Sequence, residues 1–437
     1  MPYYKVEHNN ISSDITLDPM FENIMLSSMI DKLINEKFDS TWLVGDGGGS
    51  IYSTAAVVDG VAYFGCCDRN FYALDAETGA ELWRFRTGGV ILSSPAVDEG
   101  VVYFGSYDGN LYAVASATGK LLWRFGTSDM IASDPLVYDN KIYFGSHNGL
   151  VYALNKKGKL LWKFATQGPV ASSASGHDGK IFIGSSDGNL YCLDAMTGKL
   201  AWKYSTDGNV RYRPNVSDGI VYFGSLDRCA YAVDAETGAL IWKFPTGDGV
   251  GTDVYIHGDK AYFGSRDMNQ YAIDRRTGAL VWKFNPGDYP DYLAVYDGVA
   301  YVGFCNGKLY ALDDETGKKL WELTTSGPVV ARPIMHNNML YFGSWDCNFY
   351  CVTAGRSDRG GGRLVWKSAT SVSSQAPLEV PDKPQMTSFE VRVSAEDEPQ
   401  AKAERHDNFS DYGEFTGTYI QKEKSDYVSG RKKGYIR

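Results

Sequence analysis

Between residues 50 and 367 the chain is a succession of short apolar runs separated by breaks rich in Gly, Asp, Asn and Thr, and the succession repeats about every 40 residues. One unit shows the pattern. Ile91 to Val97 reads as a strand, Asp98-Glu99-Gly100 as a turn, and Val101 to Gly105 as an apolar second strand. Tyr107-Asp108-Gly109-Asn110 carries the Asp and Gly of a hairpin turn. Leu111 to Val114 is a third strand, Ala117-Thr118-Gly119 a further turn, and Leu121 to Phe125 a fourth strand. Nothing in this span holds apolar residues three and four apart, the spacing an amphipathic helix needs. Four strands per unit predict an all-β chain: an eight-bladed β-propeller of four-stranded antiparallel blades.

Aligning the units sharpens that prediction. Trp83, Trp123, Trp162, Trp202, Trp242, Trp282, Trp321 and Trp366 lie 40, 39, 40, 40, 40, 39 and 45 residues apart. Gly65, Gly105, Gly145, Gly184, Gly224, Gly264, Gly303 and Gly343 form a second column, and Tyr72, Tyr112, Tyr152, Tyr191, Tyr231, Tyr271, Tyr310 and Tyr350 a third. A blade has two faces to bury, and stacking around a ring buries both. The Tyr and Trp columns are therefore expected between blades, with partners for their O–H and N–H groups.

The string Tyr112-Ala113-Val114, followed by Thr118-Gly119-Lys120-Leu121-Leu122-Trp123, resembles the tryptophan-docking repeat of the quinoprotein dehydrogenase (PQQ-like) superfamily. The match is clearest in Tyr231-Ala232-Val233-Asp234-Ala235-Glu236-Thr237-Gly238-Ala239-Leu240-Ile241-Trp242. It covers roughly residues 50 to 367 and implies the propeller fold. Quinone dehydrogenases, the outer-membrane assembly lipoprotein and sensor domains of bacterial kinases share the repeat, so it implies no single activity. The lipoprotein type is similar to this chain except that its signal is missing here.

The enzyme reading implied by the resemblance requires pyrroloquinoline quinone stacked in the ring, Ca²⁺ held by carboxylate and amide oxygens, and an Asp base. It also implies a vicinal disulfide over the quinone, for which Cys66-Cys67 is the one candidate. The register disagrees, because Cys66 aligns with Ser106, Ser146, Ser185, Ser225, Ser265 and Ser344 at the end of the second strand. Cys192 and Cys351 stand where other units have Ala, and Cys67, Cys229, Cys305 and Cys347 fall in hairpin turns. Their spacings do not suggest zinc. The only sizeable insertion is Gly355 to Gly361, too short to wall an active site. No catalytic residue, metal or cofactor is therefore assigned, and a non-catalytic interaction scaffold or ligand-sensing propeller is the primary expectation. A quinone- and Ca²⁺-dependent dehydrogenase, or its degenerate descendant, is the alternative.

Binding information is expected in the innermost strands, which line the channel. One column there reads Thr54, Ser94, Asp134, Ser173, Arg213, Asp253, Tyr292 and Arg332, and Arg211 should face the same way as Arg213. Two readings remain open. The charges of Arg211, Arg213, Arg332, Asp134 and Asp253 form a mutually paired network, or the arginines grip a small anion or an acidic peptide end, with Tyr292 beside them.

Residues 1–40 stand outside the repeat. Asp18-Pro19 suits a helix start, and Met20, Phe21, Ile24, Met25, Ile30, Leu33, Ile34 and Phe38 follow at near-helical spacing. An amphipathic helix packed on one end of the ring, or detachable toward a partner, is expected. The propeller proper is assigned to residues 41–367, with Thr41 to Val44 as a possible sealing strand. Residues 368–437, rich in Pro, Ser, Glu and Lys, are expected to be a disordered tail. Its Ser410-Asp411-Tyr412 and Ser425-Asp426-Tyr427 suit docking motifs, so protein partners are expected through the propeller faces or this tail.

Net charge is −10 in 437 residues, which argues against wrapping nucleic acid. No stretch is apolar enough to span a membrane. The opening MPYYKVEHNN has no basic or apolar leader and no lipobox cysteine. A cytoplasmic monomer with free thiols is expected.

Overall fold

Each repeat folds where it stands in the chain. A computed structural model describes residues 49–356 and 360–370. In it, eight four-stranded antiparallel sheets each pair their strands in sequence order. First strands of neighbouring sheets approach one another around a central axis, and fourth strands form the outer rim with alternately exposed residues. The eight-bladed propeller read from the repeat is the fold. The expected helix in residues 1–40, the strand Thr41 to Val44 and the tail beyond residue 370 lie outside the described residues.

In the second blade the strands are Ala96–Asp98, Val101–Gly105, Asn110–Ala115 and Leu121–Gly126. The first is much shorter than the pattern predicts. Residues 91–95 run along the channel and spend their polar groups on neighbouring blades instead of on the second strand. In every blade the pairing of third to fourth strand shifts by one residue just before the Trp, so Trp123 faces Ala113 while Leu121 faces Val114. Such bulges twist the outer edge and make it a poor template for another strand.

The Trp column bolts each blade to the next. Trp83 Nε1 donates to the carbonyl of Ser116 at 2.8 Å, and Trp123 to that of Lys156 at 2.9 Å. The same bond recurs from Trp162, Trp202, Trp242, Trp282 and Trp321. The indole also lies on the turn glycine of the next blade. Gly119 has φ +67°, and a Cβ there would sit 2.6 Å from Trp83 Cε3, so the position excludes a side chain on two counts. At the closure between the eighth and first blades, Trp366 packs on Gly79 in the same way, but its Nε1 finds no partner among the described residues. The carbonyl in the equivalent place, Ala76 O, accepts the hydroxyl of Tyr341 at 3.0 Å, as Ser116 O accepts that of Tyr63.

The Tyr column is buried between blades as expected, and its hydroxyls point back into their own hairpins. Tyr112 donates to Asp108, four residues earlier, at 2.7 Å, and the same Asp caps Gly88 N at 2.8 Å. Asp or Asn stands four residues before every Tyr of the column. The hydroxyl therefore ties the hairpin to the loop entering its own blade. Apolar clusters continue across each interface, such as Tyr103, Leu111, Ile131, Ile142, Phe144 and Tyr152 between the second and third blades. A cluster of Ile51, Phe64, Tyr72, Tyr341 and Phe349 closes the ring.

Candidate functional site: the channel and its mouth

The channel column forms a belt over half its circumference. Arg332 N donates to Thr54 Oγ1 at 3.2 Å, Thr54 N to Ser94 Oγ at 3.1 Å, Ser94 N to Asp134 Oδ1 at 2.6 Å, and Asp134 N to Ser173 Oγ at 2.9 Å. Each backbone N–H thus reaches the side-chain oxygen of the next blade. The belt needs acceptors, and it stops at Arg213 because a guanidinium has none to offer. Burial pushes the Asp134 carboxyl up, opposed first by the Ser94 amide and then by the charge of Arg213.

The other half is charged. Arg332, on the eighth blade, reaches past the seventh to Asp253 on the sixth, with Nη2 at 2.5 and 2.6 Å from the two carboxylate oxygens. Its guanidinium lies over the rings of Tyr255 and Tyr292, at 5.0 and 5.3 Å. Asn215 adds a longer bond to Asp253 at 3.4 Å. Arg213 is exposed to the channel and donates Nε to Ser175 Oγ at 3.2 Å. Arg211, two residues earlier, is half-buried. Of the predicted residues, then, the structure joins Arg332, Asp253 and Tyr292 directly, and sets Arg213 within electrostatic reach of Asp134.

Two residues of the seventh blade complete this half. Asp291 sits deep in the molecule but keeps contact with the channel, and its carboxylate accepts the N–H of Tyr292 at 2.9 Å. Burial drives its carboxyl well above the usual range, with Asp253 adding to the rise and the Tyr292 amide and Arg332 opposing it. Sequence alignment missed Asp291 because the strand register shifts between Pro290 and Leu293, where Asp291 and Tyr292 together oppose the single residue Gly303. Burial also raises the Tyr292 phenol, and the charges of Asp291, Asp253, Tyr212 and Asp134 act on it. Those groups belong to four different blades, so the phenol feels acidic groups from much of the channel wall.

The mouth is built by a column that sequence reading took for variable turn residues: Cys67, Tyr107, His147, Ser186, Leu226, Arg266, Cys305 and Trp345. In all eight blades its backbone N–H donates to the carbonyl of the residue entering the channel, from Cys67 to Ser50 at 3.0 Å through Trp345 to Pro328 at 2.9 Å. The backbone is pinned and the side chain is left free to vary. Aromatics gather on one arc. Tyr52 packs on Trp345 at 4.8 Å between ring centroids, and Tyr107 lies 6.4 Å from His147. Trp345 is 38% exposed and Tyr289, beside Cys305, is 45% exposed. Burial, followed by the charges of Cys67, Tyr107, Asp291 and Cys305, raises the Tyr52 phenol.

All seven cysteines are free. Cys66 donates from Sγ to Gly49 O at 3.1 Å, the bond that Ser106 makes to Gly89 O at 3.3 Å in the next blade. It is a serine substitute, in agreement with its register. Burial raises the thiols of both Cys66 and Cys67.

The residues present do not fit a quinone with Ca²⁺. Among the described residues no three His, Cys, Asp or Glu side chains converge to hold a cation. Asp253 is committed to Arg332, Asp134 to the belt, and Tyr292 to the face of the Arg332 guanidinium. No reaction step follows from this channel.

Comparison with known proteins agrees with this geometry. The family described as outer membrane protein assembly factor BamB matches residues 40–169, 147–285 and 270–398. No match to a curated protein was found. Among solved structures, BamB from Moraxella catarrhalis aligns with TM-score 0.60 and 21% identity, over 67% of this chain and 91% of its own. The computationally designed Ika8 protein aligns with TM-score 0.64 and 18% identity, over 70% and 97%. Quinohemoprotein alcohol dehydrogenase from Comamonas testosteroni aligns with TM-score 0.59 and 16% identity, over 71% of each chain. Identities this low speak for the fold alone, whereas the family match runs through all eight blades: the chain belongs to the family of the outer membrane protein assembly factor BamB.

Proposed function

We propose that this propeller is a non-catalytic binding platform that recognises a protein partner at its channel mouth. One observation carries the reading: the mouth's backbone is hydrogen-bonded in all eight blades, yet it presents the exposed rings of Trp345 and Tyr289, with the half-buried Tyr52 packed on Trp345. Rigid aromatics bring a large contact area with little entropy to lose, and Trp, Tyr and Arg dominate binding hot spots. Arg211 and Arg266 supply the third type on the remainder of the mouth.

The test is affinity capture with the wild type and with a Trp345→Ala/Tyr289→Ala variant of equal melting temperature. Partners held by the wild type and lost by the variant support the reading. Identical partner sets, or alcohol oxidation after addition of the quinone and Ca²⁺, would sink it.

A second reading, a small polar ligand in the channel, is favoured by Arg213, which is exposed and, among the described residues, hydrogen-bonds through Nε. Arg332 is spoken for by Asp253, so Arg213 would carry the anion. Arg213→Ala should then abolish ligand binding measured by calorimetry without changing the melt.

A further inference from the structure

We infer that the mouth takes up a primary ammonium group, the lysine side chain of a protein partner, which passes the aromatic arc and pairs with the carboxylate of Asp291. The strand that carries Asp291 sets the site. Pro290–Tyr296 is the first strand of the seventh blade, and within it Asp291 and Tyr292 together oppose Gly303. Such a bulge re-aims side chains, and here both residues keep contact with the channel. Among the described residues the Asp291 carboxylate takes part in no ion pair and accepts one hydrogen bond, from the N–H of Tyr292 at 2.9 Å. An asparagine could accept that bond equally well, so the bond does not account for the negative charge.

The neighbouring cations are committed elsewhere. Arg332 gives Nη2 to both oxygens of Asp253 and lies over the rings of Tyr255 and Tyr292. On the rim, the stem of Arg266 passes Gly251 of its own blade, where a Cβ would lie 3.5 Å from Arg266 Cγ. The other titratable groups that act on Asp291 or feel its charge are Asp253 of the sixth blade, Tyr52 of the first, and Tyr292 and Cys305 of its own. None of them is a cation. A buried carboxylate needs a paired charge, and without one burial favours the protonated form of Asp291.

The way in suits an ammonium on a thin stem. Tyr289, two residues before Asp291, is exposed at the rim, and its carbonyl accepts Cys305 N at 3.0 Å. Asp291 therefore lies about 7 Å below the rim, two strand residues at about 3.3 Å each, within reach of the four-carbon stem of a lysine. Tyr289, Trp345 and Tyr52 belong to consecutive blades, the seventh, eighth and first, and aromatic faces attract a passing cation. Asp288 accepts the N–H of Tyr289 at 2.8 Å and adds a negative charge at the entrance. A guanidinium fits less well, because its planar fork matches a bidentate carboxylate and Asp291 keeps one oxygen on Tyr292 N. Entry of the ammonium displaces the carboxyl proton to solvent. That the ammonium is a partner's lysine rests on the binding reading above; the ammonium site itself does not.

The test is titration calorimetry of the full chain with the peptide acetyl-Gly-Lys-Gly-amide, with its Nε-acetylated form, and with n-butylamine. The wild type is expected to bind the free-lysine peptide and butylamine and to release protons, read as different heats in phosphate and Tris buffers. Asp291→Asn should weaken both by roughly ten- to a hundredfold and end the proton release. Equal affinity for the two peptides would overturn the site, and that comparison needs only the wild type. Equal affinity of the wild type and Asp291→Asn would overturn it too. Butylamine bound with the lysine peptide refused would give the site to a free amine and overturn the lysine assignment. Partner capture separates the two proposals. Partners lost from Trp345→Ala/Tyr289→Ala but kept by Asp291→Asn leave the platform standing and remove the lysine. Peptide binding that needs Asp291, with no partner captured, leaves the ammonium site standing and removes the partner reading.

Discussion

Truncating Arg332 should cost more stability than truncating its partner Asp253, although both lose the same ion pair. Asp253 is 4% exposed and carries the only carboxylate that Arg332 touches. Arg332→Ala leaves that charge buried, beside Asp291, with Asn215 Nδ2 at 3.4 Å as its nearest donor. A buried pair broken in this way costs about 3–5 kcal/mol, and loss of the contacts with Tyr255 and Tyr292 adds about 0.5–2 kcal/mol. Asp253→Ala leaves a guanidinium that still lies on two aromatic rings and still meets channel water, so it should lose the charged hydrogen bonds alone, about 1.5–3 kcal/mol. The double variant should cost less than the sum of the singles, by about 1–3 kcal/mol. Urea unfolding of the four proteins, followed by tryptophan fluorescence and circular dichroism, measures the cycle. Equal costs for the two singles, or a coupling near zero, would refute the assignment of Asp253 as the desolvated member of a closed pair.

Three further outcomes follow from particular contacts. Asp291 has a raised carboxyl, so the folded state holds a proton that the unfolded chain releases, and stability falls as pH climbs from the unfolded value toward the folded one. Asp291→Asn keeps the acceptor for Tyr292 N and should raise the melting temperature at pH 7.5, with the gain fading near pH 4; a loss at pH 7.5 would contradict it. Trp83→Phe should be more destabilising than Trp366→Phe by about 0.5–1.5 kcal/mol, because Trp366 has no Nε1 bond to lose, and equal losses in calorimetry would show that the bond is immaterial. Burial pushes the thiol of Cys305 up to about 12 and that of Cys347 to about 11. Both should therefore resist iodoacetamide at pH 7.5 in the native state and react only after unfolding, as read by mass spectrometry.

Trp, Gly and Tyr at intervals near 40 residues determined the blades from sequence alone, because the pairing within a blade is local: each strand bonds the next one in the chain, and each Tyr finds an Asp or Asn four residues back. Inter-blade docking was legible too, since a Trp and the glycine it lies on are parts of one repeated unit. The cysteines of the Ser and Ala columns were explained by register for the same reason. What tertiary structure decided lies on the axis, where residues about 40, 80 or 280 positions apart meet. The column predicted charges in the channel but not their partners, and Arg332 passes over the adjacent blade to reach Asp253. A register shift between Pro290 and Leu293 hid Asp291, and eight residues that look like loop variation in sequence turned out to share one rim. Closing a ring converts equal sequence spacing into contact across the axis, and which charges pair there depends on side-chain length, burial and the stopping of the belt at Arg213. None of these is a local property of the chain.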